Sequence, residues 1–114
     1  MRSEAFPRRA RLPSGEAFRQ LLASRRSSRS ERFLVQARPN GRCFARLGVV
    51  VGKRVAALAV DRSFLKRLVR ETFRRHRQEV AGFDLLVRPR RSLSSSELRE
   101  AREDLRALLV AVVR

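Results

Sequence analysis

The sequence predicts an α+β fold, a two-layer α–β sandwich in which three helices accompany a sheet of about four strands. Strand-like apolar segments alternate with amphipathic segments in the order helix, two or three strands, helix, strand, helix. Strands on both sides of the long central helix imply some parallel pairing. The 114 residues are 43% hydrophobic, which suits one core. We therefore expect a single domain over residues 14–114, after a flexible basic arm over residues 1–13.

The N-terminal half begins with a short helix and a hairpin. A helix is predicted over Ser14–Ala23, with the serine as its cap. Residues 24–32 are rich in Ser and Arg, which is typical of a loop. Phe33–Ala37 predicts a strand. Asn40-Gly41 then favours the positive φ angles of a tight hairpin turn.

The chain is expected to return as a strand over Cys43–Val51, with Cys43 as a small core residue. The apolar stretch Val55–Ala59 predicts a third strand or, because alanine is a poor strand former, a loop packed on the core. Asp61 stands where it would cap a helix that extends to about Glu79.

This central helix has one apolar and one cationic side. At about 100° per residue, the apolar side contains Phe64, Leu65, Leu68, Val69, Thr72 and Phe73, and the cationic side contains Arg62, Lys66, Arg67, Arg70, Arg74 and Arg77. Cations spaced by four residues from Arg62 to Arg74 form one ridge. Such a helix can pack on a core and still present its cations to a polyanion.

A strand and a helix complete the fold. Phe83–Val87 predicts the strand, which Arg88-Pro89 closes. Ser94–Glu97 has the pattern of a capping box, and the helix after it extends to about Val112. Its inner stripe consists of Leu98, Ala101, Leu105, Leu108 and Val112. Its acidic outer residues, Glu100, Glu103 and Asp104, could attract a divalent ion, but a solvated helix surface accounts for them better.

Positive charge is the strongest functional signal in the composition. Lys and Arg total 28 against 11 Asp and Glu, a net charge of +17. A chain of this size requires a counter-charge, and arginine grips phosphate bidentately. The preference for arginine over lysine can also reflect a GC-rich genome. The sign and size of the charge favour a nucleic-acid partner.

Signals for other functions are lacking in the sequence. It contains no Walker loop, dinucleotide-binding fingerprint or nucleophile elbow. One cysteine and one histidine exclude an internal disulfide and a Cys/His metal site. No segment has the roughly 18 apolar residues of a membrane span, and no hydrophobic signal core is present. We expect a cytoplasmic protein without a membrane partner.

Two segments resemble the protein subunit of bacterial ribonuclease P. They are Arg46–Arg54 (RLGVVVGKR) and Asp61–Glu71 (DRSFLKRLVRE). The family pattern reads approximately R-x-G, three apolar residues, a small residue and K-K, then R-N-R-x-K-R, two apolar residues and R-E. With weaker flanking matches the resemblance covers residues 11–112. It implies an α–β sandwich with a left-handed strand–helix–strand crossover, against the usual right-handed preference.

The resemblance also implies a function. The family's protein binds a catalytic RNA and the 5′ leader of precursor tRNA, and the RNA performs a Mg²⁺-dependent hydrolysis that generates the mature tRNA 5′ end. The chain would be the non-catalytic subunit of an endoribonuclease, with no catalytic residue, metal site or obligate protein partner of its own. The implied RNA-binding residues are Lys53, Arg54, Arg62, Lys66, Arg67, Arg70 and Arg74. The implied leader-binding residues are Phe18, Leu22, Leu34 and Gln36.

Two residues depart from the family pattern. Where the family has Arg-Asn-Arg, this chain has Arg62-Ser63-Phe64. Ser63 can still donate one hydrogen bond, but Phe64 cannot bind phosphate and either packs inward or stacks on a base. Phe18 is likewise either a stacking platform or a core residue.

The alternative function is that of a ribosomal or general RNA-binding protein with no enzyme partner, since the same basic helix would serve it. DNA binding is less favoured, because an unbroken arginine row suits phosphates better than base edges.

Overall fold

The computed structural model describes residues 10–12 and 15–114, which contain three α-helices and a four-stranded sheet. In chain order the elements are α1 (Glu16–Leu22), β1 (Ser27–Arg29), β2 (Phe33–Pro39), β3 (Arg46–Val49), α2 (Ala59–His76), β4 (Phe83–Pro89) and α3 (Leu98–Val112). Short 3-10 turns at Arg77–Val80 and Ser95–Glu97 follow α2 and precede α3. The predicted α+β class, with four strands and three helices, is confirmed.

The strand order in the sheet is β1-β2-β4-β3. β4 is antiparallel to β2 and parallel to β3, so α2 joins two parallel neighbours as expected. The hand of that connection stays a prediction. The predicted hairpin between β2 and β3 is wrong, because β4 lies between them. Gly41 does have a positive φ of 70°, but the Asn40 N–H donates to Gly82 O (2.9 Å), which ties the turn to the start of β4.

The two faces of the sheet differ in what covers them. Leu85 and Val87 of β4 belong to the main core cluster, together with buried residues of α2 and α3. Leu86 points to the opposite face, as strand alternation requires, and it is fully buried outside that cluster, as is Leu21 of α1. Thus α2 and α3 form the second main layer, and the short α1 covers part of the other face.

Residues just before α1 also belong to the fold. Residues 1–9 of the predicted arm, and Ser14 as the predicted cap, lie outside the described residues. Ala10 is buried, and the Leu12 N–H donates to Leu47 O (2.9 Å) beside β3. A Cβ added to Gly48 would lie 3.0 Å from the Leu12 side chain. Glycine in this strand therefore permits the close approach of the preceding segment.

The apolar side of α2 packs as predicted. Leu65, Leu68, Val69, Thr72 and Phe73 are buried, whereas Phe64 is half-buried. The predicted helix start is wrong: Leu58 occupies the N-cap position, and Asp61 lies in the first turn. A carboxylate there still interacts favourably with the helix dipole.

A short edge strand replaces part of the loop predicted for residues 24–32. β1 pairs antiparallel with β2. Its polar composition gave no strand signal in the sequence. Serines in and directly after β1 form hydrogen bonds with α3. The Ser28 hydroxyl donates to Leu108 O (2.9 Å), and the Ser30 hydroxyl donates to the Asp104 carboxylate (2.7 Å). These bonds satisfy the polar groups without an apolar face.

Two expectations between β2 and α2 also need correction. Cys43 is exposed, because β3 starts only at Arg46. The stretch Val55–Ala59 forms no strand, and the packed-loop alternative is the right one. Ala56 is buried in a second small cluster with Val51 and Leu65.

An ion pair joins the two parallel strands. The Arg46 guanidinium donates to Asp84 through Nε (2.8 Å) and Nη2 (2.7 Å), and the Asn40 amide donates to the same carboxylate (3.0 Å). Asp84 is only 7% exposed. Its hydrogen bond raises the pKa of Arg46 above the usual value. The pair therefore fastens β3 and the turn after β2 to β4.

Glu97 organises the approach to α3. It forms the predicted capping box, in which the Ser94 N–H donates to its carboxylate (3.0 Å). Arg91 donates to it at 2.9 Å and Arg32 at 3.2 Å. The hydrogen bond from Arg91, reinforced by Ser94 and Arg32, lowers the pKa of Glu97 to about 2.

Replacing Asp84 with Asn should destabilise the fold strongly. The substitution leaves the Arg46 guanidinium without a counter-charge in a nearly buried setting, and we expect a loss of about 2–4 kcal/mol in the free energy of unfolding. Urea denaturation measures it. The control is Glu16→Gln, which removes the exposed ion pair to Arg19 and should change stability by at most about 0.5 kcal/mol. Equal effects of the two variants would contradict the role assigned to Asp84.

Acid sensitivity should depend on Glu97. Its pKa is lowered on folding, so its contribution is fully present above about pH 4.5 and is lost as the pH falls through about 2. The Tm difference between the wild type and Glu97→Gln should therefore shrink steadily over that range. Calorimetry at stepped pH measures this, with the exposed Glu103→Gln as control. A difference that does not vary with pH would refute the assignment.

Candidate nucleic-acid interface

The cationic side of α2 faces away from the core. Arg67 and Arg70 are exposed, and Lys66 is half-buried. Within the described residues, these three side chains have no ion-pair or hydrogen-bond partner. The apolar residues of the same helix are buried in the core, which fixes the position of these cations. The middle of α2 therefore presents uncompensated positive charge at a defined position.

Arg62 differs from the rest of the ridge. Its Nη1 donates to Ala56 O (3.0 Å) and Ala57 O (2.8 Å), and the side chain is half-buried. It therefore braces the loop that leads into α2. Arginine has five N–H donors, so the other guanidinium nitrogens remain able to contact phosphate.

The two ends of the predicted RNA-binding set are also placed differently. Lys53 and Arg54 are exposed in the turn between β3 and α2. Arg74, by contrast, is 20% exposed and lies 3.8 Å from the Glu71 carboxylate. The cationic surface therefore extends from the loop before α2 to Arg70 and is partly neutralised one turn later.

The partly exposed surface beside α1, on the face of the sheet that α1 covers, includes Phe18, Leu22 and Leu34, and we call it the α1 groove. Phe18 and Leu34 are half-buried there, and Leu22 is 41% exposed. Gln36 lies in the same area but is buried. Its amide donates to Leu22 O (3.0 Å) and Ser24 O (3.2 Å), so it holds the end of α1 against the sheet. Three of the four predicted leader-binding residues thus offer apolar surface, and the fourth positions the helix.

Arg88 is a residue of this groove that the sequence analysis missed. It pairs with Leu34 across β2 and β4, on the α1 side of the sheet. Its Nη2 donates to the side-chain Oε1 of Gln36 (2.7 Å), and its buried Nε has no partner among the described residues. Alternation with Leu86 was the available signal, but the strand was predicted to end at Val87. A cationic side chain therefore lies beside the apolar groove.

The carboxylates of the described residues are mostly engaged by arginines. Asp84 and Glu97 are held as described above, Asp104 receives Arg32 at 3.4 Å, and Glu79 receives Arg106 at 3.4 Å and lies 3.0 Å from His76. No group of three or more His, Cys, Asp or Glu side chains suited to a metal ion occurs in the described ranges.

Among residues 10–12 and 15–114, no helix combines the length and apolar character that crossing a membrane requires.

Comparisons with known proteins agree with the family resemblance of the sequence. A sequence model of the Ribonuclease P family matches residues 6–113. The Ribonuclease P protein component of Chromobacterium violaceum is 39% identical over 114 residues, covering 100% of this chain and 94% of that protein. The component of Burkholderia mallei is 46% identical over 86 residues, covering 75% of this chain. That match spans 62% of the length of the Burkholderia protein, less than two thirds.

Solved structures resemble the fold closely. The RNase P protein from Thermotoga maritima, in complex with 1-(4-fluorophenyl)-2-thiourea, is 35% identical with a TM-score of 0.73, over 88% of this chain and 97% of that one. The RNase P protein of Staphylococcus aureus is 23% identical with a TM-score of 0.78, over 92% of this chain and 98% of that one. At that identity the second likeness concerns the fold alone.

Removing a cation from the middle of α2 should weaken RNA binding and reduce its dependence on salt. For Arg67→Ala or Arg70→Ala we expect the slope of log K against log salt concentration to become shallower by about 1, because one fewer counterion is released. Fluorescence anisotropy with a labelled tRNA transcript over a salt series measures this. The control is Arg99→Ala, an exposed arginine on α3. Unchanged slopes in both α2 variants would rule out this side of the helix as the RNA surface.

Proposed function

The chain belongs to the Ribonuclease P protein family, and from this premise we propose that it is the protein subunit of a ribonucleoprotein endonuclease. It binds the catalytic RNA and the 5′ leader of precursor tRNA, and it supports removal of the leader to generate the mature tRNA 5′ end. The comparisons give no support to the alternative of a ribosomal or general RNA-binding protein.

One observation carries the proposal: α2 combines a buried apolar side with exposed, unpartnered cations. Leu65, Leu68 and Val69 anchor the helix, while Arg67 and Arg70 have no partner among the described residues. Preorganised cations avoid part of the entropy cost of ordering on binding. This surface, with Lys53 and Arg54 before it, is proposed to hold the catalytic RNA.

The α1 groove is proposed to hold the leader. Phe18, Leu22 and Leu34 supply apolar surface for unpaired bases, which stack without sequence preference. Arg88 lies beside them and supplies charge for the leader phosphates. The sheet separates this groove from α2 and α3. The protein would thus contact two RNAs through two different surfaces, which suits a subunit that brings a substrate to a ribozyme.

The division of chemistry follows from the side chains present. The described carboxylates are largely engaged by arginines, so the protein supplies binding energy and charge neutralisation. Mg²⁺, held by the RNA subunit, supplies the activation of the attacking water and the stabilisation of the leaving oxygen. The protein acts in the cytoplasm, where precursor tRNA is processed, and it needs no obligate protein partner.

Reconstitution tests the proposal. The protein is mixed at a stoichiometric ratio with the ribonuclease P RNA of its own organism, at a Mg²⁺ concentration where the RNA alone cleaves precursor tRNA slowly. We expect the cleavage rate to rise by at least about tenfold, because bound cations replace part of the screening that Mg²⁺ provides. Arg99→Ala should stimulate like the wild type, and the triple Ala variant of Lys66, Arg67 and Arg70 should not. A wild-type protein that leaves the rate unchanged would refute the function.

A further inference from the structure

A cleft opens between α2 and α3, on the side of the sheet opposite the α1 groove. It has a volume of about 300 Å³, and it is lined by Phe64, Arg67, Leu68, Glu71, Leu98 and Arg102. That volume is at the lower end of the range for small-ligand sites and suits a single ring system with its attachments.

The floor of the cleft is apolar and includes an aromatic ring. Phe64 packs partly against the second core cluster, which fixes its position, and remains half-buried. Leu68 and Leu98 complete the apolar lining. An aromatic ring held in this way is a stacking platform for an unpaired base. Phe64 therefore packs partly inward and still leaves part of its ring open to the cleft.

Cations stand on both walls. Arg67 on α2 is exposed and Arg102 on α3 is half-buried, and neither has a partner among the described residues. Glu71 also lines the cleft, and its carboxylate lies 3.8 Å from both Arg74 and Arg75. A carboxylate disfavours a phosphate within the cleft itself. It accepts hydrogen bonds from the amino group of a base.

We propose that this cleft binds an unpaired nucleotide of the RNA partner, with its base stacked on Phe64 and its phosphate held by Arg67 and Arg102. The inference rests on the proposed function, because it extends the RNA surface from α2 onto α3. Arg67 belongs to both the α2 row and the cleft, so an RNA strand that follows the row reaches the cleft directly. In this chain a stacking contact replaces a phosphate contact at position 64.

Fluorescence of a single tryptophan reads the cleft directly. The chain contains no Trp or Tyr, so Phe64→Trp reports only on this site. We expect a six-nucleotide oligocytidylate to quench its emission in a saturable manner. Adding Arg102→Ala should raise the midpoint, the oligonucleotide concentration at half-maximal quenching, by about tenfold. This is the effect of losing one charge-assisted hydrogen bond. Adding Arg99→Ala, on α3 but outside the cleft, should leave the midpoint within about twofold.

Three results would overturn the proposal: no quenching by the oligonucleotide, equal midpoints in the Arg102 and Arg99 backgrounds, or emission that changes with protein concentration without RNA. The last would show a second copy in the cleft.

A second variant covers the case in which Phe64→Trp does not fold. Phe64→Leu, which keeps apolar packing, should raise the protein concentration needed for half-maximal stimulation of cleavage at least about fivefold. If that concentration is unchanged, the proposal that the cleft binds a nucleotide is refuted. If the wild type stimulates cleavage and the cleft variants stimulate it equally well, only nucleotide binding in the cleft is refuted. If the wild type gives no stimulation, the proposed function itself fails.

Discussion

Carboxylates are scarce in this chain, and their placement decides which arginines keep their charge unpaired. The chain has eleven acidic and 28 cationic side chains. Two of the most engaged acids lie where elements meet: Asp84 holds Arg46 between parallel strands, and Glu97 holds Arg32 and Arg91 at the entry to α3. Arginines that join elements are thereby neutralised, while Arg67 and Arg70 in the middle of α2 keep their charge free. The same distribution stabilises the fold and defines the binding surface.

The sheet topology converts this distribution into two separate surfaces. β4 lies between β2 and β3, so its alternating side chains serve both faces. Leu85 and Val87 anchor α2 and α3, whereas Leu86 and Arg88 face α1 and its groove. A single central strand therefore sets the position of the basic helix on one side and of the apolar groove on the other. The proposed contacts with two RNAs would then require no movement of one surface toward the other.

Position 64 shows how a departure from a family pattern is accommodated. Phe64 cannot contact phosphate as an arginine would, but its ring is only half-buried. It rests on the second cluster and opens toward α3, where Arg102 supplies a cation from a different helix. Arg62, which matches the family pattern, donates hydrogen bonds from its guanidinium to two backbone carbonyls before α2.

Local patterns in the sequence determined the helices, the central strands, the capping box at Ser94–Glu97 and the two sides of α2. Each of these follows from spacing along the chain, because burial of one face needs only the right periodicity. Only the tertiary structure decided the pairing of β4 with both β2 and β3, the edge strand β1 and the exposure of Cys43. Those features depend on partners distant in sequence: Leu108 and Asp104 for the serines around β1, and Gly82 for Asn40. The hydrogen bonds of Gln36 to Leu22 and Ser24, and of Arg88 to Gln36, belong to the same class, because strand alternation gives the face of a residue but not its partners.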